Sequence, residues 1–328
     1  MNSTKTICIA GVSGLVGANL AKKALALGYR VNGTLRDSTD TTKTEPLMAL
    51  PGGAERLSLF TADMATPASF DEPLKGAQAV FIACLIPTYA GPTGKPAREM
   101  DDEEGERDIV MPTVNGCLNI LRSAAAAGIR DALICSSTSS TNPKVPVAKK
   151  NEVDHWSDRD YQYEQKKYTS AAKTVMEPAA MAFAAEHNMR LCIFLPTLML
   201  GPAVLPEHAR RGFQGMLYKM MQGEPSRHSK IPNDSSSMIH VEDLASLFFA
   251  AFENPEAEGR YFGVYDSWPY QDIYAELAKL LPDAPMPEPL DEAPLPPTGF
   301  DFTRRDSLGV ALRDVPTILK QTIDSMRD

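Results

Sequence analysis

The sequence predicts an α/β fold in which a doubly wound parallel sheet carries a smaller C-terminal lobe. Three observations predict it. Over the first 200 residues, short β-rich runs alternate with helical stretches, the pattern of βαβ units. The apolar runs TICIA (6–10), AVFIA (79–83) and ALIC (132–135) lack in/out alternation, as expected of strands covered by helices on both faces. A glycine-rich turn, GVSGLVG at 11–17, joins the first strand to the first helix.

The elements follow in order. Residues 6–10 read as a strand, 14–27 as a helix, and 30–34, 57–61 and 79–83 as strands. A helix is expected over 108–127, a strand at 132–135, a helix at 170–186 and a strand at 191–195. The alternation loosens after Pro202, where 202–235 is rich in Met, Arg, Gly and Ser. A helix at 241–252 and a strand at 260–264 follow. The proline-dense stretch 283–298 reads as a connector and 306–327 as short helices. The expected division is a nucleotide-binding domain over 1–200, to which 236–265 returns, and a substrate lobe made of 201–235 and 266–328. Such a lobe sits beyond the carboxyl ends of the strands, where open α/β sheets bind ligands.

The composition is that of a globular protein with ample core. Of 328 residues, 43% are hydrophobic and 23% charged. The net charge of −9 argues against nucleic acid and anionic membranes as partners. No apolar run reaches the length of a membrane span, and residues 1–6 lack a signal-peptide pattern, so a cytoplasmic location is expected. The cysteines Cys8, Cys84, Cys117, Cys135 and Cys192 are scattered with no CxxC pair. They read as reduced, buried thiols, with no metal site.

The glycine turn is a phosphate cradle in the right context, after a strand and before a helix. Gly11 permits the turn, Gly14 lets backbone approach a pyrophosphate and Gly17 lets the helix pack on the strand. Ser13, Leu15 and Val16 complete it, at a helix N-terminus whose free N–H groups suit an anion. At the end of the second strand, Arg36 can pair with a 2′-phosphate, which favours NADPH over NADH, while the adjacent Asp37 counts the other way. Asp63 and Met64 are expected against the adenine. Ala83 and Cys84 are expected beside the ribose and pyrophosphate.

Further motifs occur in a fixed order: LRD (35–37), VNGCLNIL (114–121), ICSST (134–138), DHWSD (154–158), KTVMEPAAMAFAAEHN (173–188), PTLMLGP (196–202), IHVEDLA (239–245) and NPEAEGRY (254–261). With GVSGLVG they resemble the extended short-chain dehydrogenases/reductases, in the dihydroflavonol reductase and cinnamoyl-CoA reductase-like branch of the epimerase/dehydratase superfamily. The likeness covers about residues 5–280. It implies a Rossmann domain, NADPH, and a Ser-Tyr-Lys site that passes hydride to a carbonyl and protonates its oxygen. Carried over by position, Ser137 orients the carbonyl oxygen and Lys173 holds the nicotinamide ribose. Asn115 supports Lys173 through water, and Pro196 and Thr197 border the cofactor.

The tyrosine departs from the family pattern. It belongs four residues before the lysine, where this chain has Thr169; Tyr168 lies five before. Four helical residues turn about 400° and five about 500°, so a regular helix aims Tyr168 well away from Lys173. Three readings stand at this point. Tyr168 serves if the helix start is irregular or carries a π-bulge. Alternatively, Tyr163 with Lys167 supplies the literal YxxxK, or the site has no catalytic tyrosine.

Met216 and Met220, at helical spacing in FQGMLYKMM, read as lobe core or as an adaptable wall of the substrate pocket with Ser137 and Tyr168. Arg210, Arg211 and Arg227 offer weak evidence for an anionic substrate. Trp156 and His240 read as structural, and His155, His187, His208 and His228 carry no assigned role.

The expected function is an NADPH-dependent oxidoreductase that reduces an aldehyde or ketone of medium size, aromatic or apolar, as a monomer or homodimer. Two alternatives stand beside it: an NADP(H)-binding sensor without ordinary turnover, and a nucleotide-sugar epimerase or dehydratase.

Overall fold

The computed structural model describes residues 5–85 and 87–327, so most of the expectation for residues 1–6 falls outside them. The described strands are β1 (Thr6–Ala10), β2 (Arg30–Leu35), β3 (Leu57–Thr61), β4 (Ala79–Ile82), β5 (Asp131–Cys135), β6 (Lys149–Lys150), β7 (Arg190–Pro196), β8 (Leu198–Leu200), β9 (Ser235–His240), β10 (Gly259–Gly263), β11 (Asp266–Pro269) and β12 (Gly299–Phe300). Seven of them form one parallel sheet in the order β10-β7-β5-β4-β1-β2-β3. The order reverses at β1, and the crevice at such a switch point is where a ligand binds.

Each strand sends alternate side chains to opposite faces, and both faces are covered. Cys8, Val80, Ile82, Ile134 and Ile193 pack under the helices Met111–Ala126 and Tyr168–Glu186. Ile7, Ile9, Phe81, Leu133 and Phe194 pack under Leu15–Ala26 and Val241–Glu253. This double burial is why the strands read as unbroken apolar runs.

A three-stranded sheet, β11-β9-β8, and the helices Gly212–Met221, Tyr270–Leu280 and Val315–Asp324 enclose a separate core. Two expectations change here. Residues 236–240, the start of the 236–265 stretch assigned from sequence to the nucleotide-binding domain, pair instead with β8 and β11 of the small sheet. Met216 and Met220 are 6% and 1% exposed in the lobe's own core, packed among Phe213, Leu217, Ile273 and Ile318, so neither forms a pocket wall. No described helix is long and apolar enough to cross a membrane.

Candidate active site at the carboxyl ends of the central strands

The glycine turn is built by steric need. Gly11 has φ +86, a left-handed conformation that side chains resist, and a Cβ there would meet Cys84 at 2.7 Å. A Cβ on Gly17 would meet the Gly11 carbonyl oxygen at 2.1 Å, so the first helix packs on its strand only with glycine here. Gly14 is different, because its nearest neighbour would be the Gly11 oxygen at 3.5 Å. It is the N-cap of Leu15–Ala26, a helix with no side-chain cap and no acid in its first turn. The N–H groups of Leu15, Val16 and Gly17 therefore lack a side-chain acceptor. That is the donor set a pyrophosphate takes.

Arg36 is exposed at the end of β2 and forms no ion pair among the described residues. Asp37 is otherwise engaged: its carboxylate accepts from the Thr39 amide at 2.9 Å and from the Thr39 hydroxyl at 2.6 Å. These bonds hold its pKa below the usual carboxylate value. Past β3, Asp63 accepts from the Ala65 amide at 2.9 Å, and Met64 accepts from the Asn119 amide group at 3.0 Å. Ala83 and Cys84 are half-buried at the end of β4. Burial pushes the Cys84 thiol up to about 12. All five cysteines are free.

The side where the nicotinamide is expected is organised by one stripe of the helix Tyr168–Glu186. Thr169, Lys173 and Glu177 recur every four residues and share a face. The Thr169 hydroxyl donates to the Thr88 carbonyl. Lys173, 3% exposed, donates from Nζ to the Leu85 carbonyl at 2.5 Å. Burial lowers its pKa, offset in part by the thiols of Cys135 and Cys117 and by Glu177. Glu177 accepts from the Ser136 hydroxyl and lies 2.9 Å from Arg260 Nε, whose guanidinium stacks 3.6 Å from the Trp156 ring centroid. Burial raises the Glu177 pKa, and Arg260 opposes that. Ser137 follows β5, half-buried, with its Oγ accepting from the Ser139 amide at 3.2 Å. Pro196 and Thr197 close the row at the end of β7.

Two predicted members do not join them. Tyr168 is 0% exposed and donates to Asp102 at 2.7 Å, in edge contact with Tyr163 at 5.2 Å between centroids. The helix is regular from Tyr168 onward, so its second and sixth residues, Thr169 and Lys173, and not its first, carry the site's face. The π-helical turn lies on the facing segment, Glu106–Val110. Tyr163 donates to Glu106, so the alternative YxxxK reading also points away. Asn115 is exposed; two residues, or about 200°, separate it from Cys117, which faces Lys173. A water bridge from Asn115 to the buried lysine does not fit this arrangement.

Glu177 and His208 were not singled out from sequence. Glu177 was legible in the Lys173–Glu177 spacing. His208, whose Nε2–H donates to the Ser13 carbonyl at 3.0 Å, had no local signal.

The NAD dependent epimerase/dehydratase family model matches residues 7–264. The chain belongs to that family. It is 31% identical to dihydroflavonol 4-reductase of Zea mays, over 94% of this chain and 84% of that one. It is 26% identical to cinnamoyl-CoA reductase CAD2 of Medicago truncatula, over 100% and 97%. The structure of the yeast methylglyoxal/isovaleraldehyde reductase Gre2 complexed with NADPH aligns with a TM-score of 0.79 at 19% identity, over 98% of both chains, a likeness of fold. The chain is thus an extended short-chain oxidoreductase of the dihydroflavonol reductase-like branch. A nicotinamide cofactor is the one its family uses, and the glycine turn and uncapped helix fit the phosphates.

Proposed function

We propose that the chain is an NADPH-dependent reductase of an aldehyde or ketone carbonyl on a medium-sized, aromatic or apolar molecule. The observation that carries it is the buried Lys173 ammonium bonded to the Leu85 carbonyl beyond β4, on the helix stripe whose Glu177 accepts from Ser136 at the end of β5. The named reductase relatives support this reading over a nucleotide-sugar epimerase. The engagement of Asp37 by Thr39 and the free Arg36 support NADPH over NADH.

When bound, the cofactor supplies a hydride to the carbonyl carbon. The chain supplies the rest. Gly11–Gly17 backbone and the Leu15–Ala26 helix would bind the pyrophosphate; Asp63, Met64, Ala83 and Cys84 would border the adenosine and ribose; Pro196 and Thr197 would border the nicotinamide side. Ser137 Oγ would hydrogen-bond the carbonyl oxygen. With Tyr168 committed to Asp102, the proton comes from the Lys173 ammonium, relayed through Ser137; burial makes that ammonium a stronger acid than free lysine. Glu177 keeps a compensating carboxylate one turn away.

A second reading rests on Thr169 standing where the family pattern has tyrosine: the chain binds NADP(H) as a sensor with little turnover. Oxidation of NADPH and NADH against a panel of aromatic and aliphatic carbonyls separates the two, with binding of each cofactor measured in the same samples. NADPH-preferring turnover that is lost in Lys173→Met establishes the reductase. Tight NADPH binding with no turnover on any carbonyl supports the sensor.

A further inference from the structure

A cationic cleft lies on the adenosine side of the glycine turn. One wall is the first turn of the helix Thr41–Met48, with Thr42 and Lys43; the other is the segment after β8, with Pro206, Glu207, Arg210 and Arg211. Its volume is about 400 Å³. The two walls belong to different parts of the fold, and His208 ties the second of them to the glycine turn. Its Nδ1 accepts from the Leu205 amide at 3.4 Å, which leaves the proton on Nε2 for the Ser13 carbonyl. Burial lowers the His208 pKa, and this hydrogen bond, together with Val204 and Leu205 packed in the core that holds Val12 and Val16, holds the segment at the turn.

The lining holds three cations and one carboxylate, in a chain whose net charge is −9. Lys43 pairs with Asp40 at 2.7 Å and Arg211 with Glu207 at 2.7 Å. Arg210 has no carboxylate partner among the described residues; its guanidinium lies 5.8 Å from the Tyr218 ring centroid. The cleft also has a fixed address. Lys173 and Ser137 lie at the ends of β4 and β5, on one side of β1, whereas Arg36 and the Thr41–Met48 helix follow β2 on the other. A dinucleotide with its pyrophosphate on the turn and its nicotinamide toward Lys173 has its adenosine ribose beside this cleft.

We propose that Arg210 and Arg211 form a second wall of the site for the cofactor's 2′-phosphate, which is gripped from the lobe side as well as by Arg36 and Lys43. The lining's three cations against one carboxylate, with Asp40 beside Lys43, leave a positive site suited to a phosphate monoester that carries close to two negative charges at neutral pH. Guanidinium forks suit its oxygens, and the phosphate would draw Arg211 from Glu207 and Lys43 from Asp40. The 2′-phosphate would then hold the lobe segment against the sheet, and NADH would not.

This rests on the NADPH reading, and the test separates the two. NADPH, NADH and adenosine 2′-monophosphate are titrated into the full chain and into Arg210→Gln/Arg211→Gln and Arg36→Gln variants. Unliganded thermal midpoints serve as the folding check, since both arginines are exposed. The double variant is expected to weaken NADPH and adenosine 2′-monophosphate by about tenfold or more and to leave NADH within about twofold. If NADPH and NADH weaken together, or neither changes, the second wall is refuted. If the unaltered chain binds NADH as tightly as NADPH, the cofactor reading fails first. If only Arg36→Gln removes a real NADPH preference, the cofactor reading stands and this proposal falls.

Discussion

The Tyr168 hydroxyl donates to the Asp102 carboxylate at 2.7 Å, while Thr169, the next residue, faces the same β4 loop as Lys173. One residue of helical phase, about 100°, separates a structural tyrosine from the position that the family pattern gives to the proton donor. Desolvation and the Asp102 charge both raise the Tyr168 pKa, which makes it a poorer acid.

Tyr168→Phe therefore leaves turnover within about twofold and costs about 1 kcal/mol of stability, the net worth of one hydrogen bond. Steady-state kinetics and urea unfolding check both. A loss of a hundredfold or more in kcat with an unchanged fold would return Tyr168 to the catalytic group.

Thr169→Tyr places a phenol on the Lys173 face. If the 87–88 loop gives way to it, kcat for carbonyl reduction rises by about 10²-fold, the lower range for a positioned proton donor. In the unaltered chain, the rate should fall as pH rises through the lowered Lys173 pKa, below the ordinary 10.5. In Thr169→Tyr, the profile should shift as the phenol takes over. A pH–rate profile that is identical in both proteins refutes the Lys173 assignment.

The two glycines predict opposite failures. Gly17→Ala drives a methyl group to 2.1 Å from the Gly11 oxygen and should prevent a stable fold or cost several kcal/mol. Gly14→Ala meets nothing closer than 3.5 Å. It should fold with an unchanged thermal midpoint but bind cofactor more than tenfold more weakly, because the methyl group enters the cofactor's space. Circular dichroism and cofactor titration read the two effects separately.

His240 caps the helix Val241–Glu253, accepting from the Glu242 amide at 3.2 Å, and faces Arg313, Glu242 and Lys22. Burial depresses its pKa from 6.5 to about 4. The native state then binds fewer protons than the unfolded chain between those values, so stability is present above pH 6.5 and is lost as pH falls toward 4. The loss approaches about 3 kcal/mol. His240→Asn keeps a cap acceptor and should remove most of that pH dependence in urea unfolding between pH 4 and 7.

The sequence by itself determined the parallel sheet, the glycine turn between the first strand and helix, and the place of Lys173. Those rest on local causes: apolar runs buried on both faces, glycine sterics within seven residues, and the spacing from Lys173 to Pro196 and Thr197. Even the phase of Tyr168 was arithmetic. Only the tertiary structure decided what each off-phase side chain met. Asp102 lies 66 residues from Tyr168 and Ser13 lies 195 from His208, and no local pattern encodes those partners. The same holds for Met216 and Met220. Helical spacing shows that they share a face, but whether that face meets a ligand or the helices Tyr270–Leu280 and Val315–Asp324 is fixed by how the lobe packs. Burial and hydrogen-bond partners belong to packed elements, whereas periodicity belongs to one.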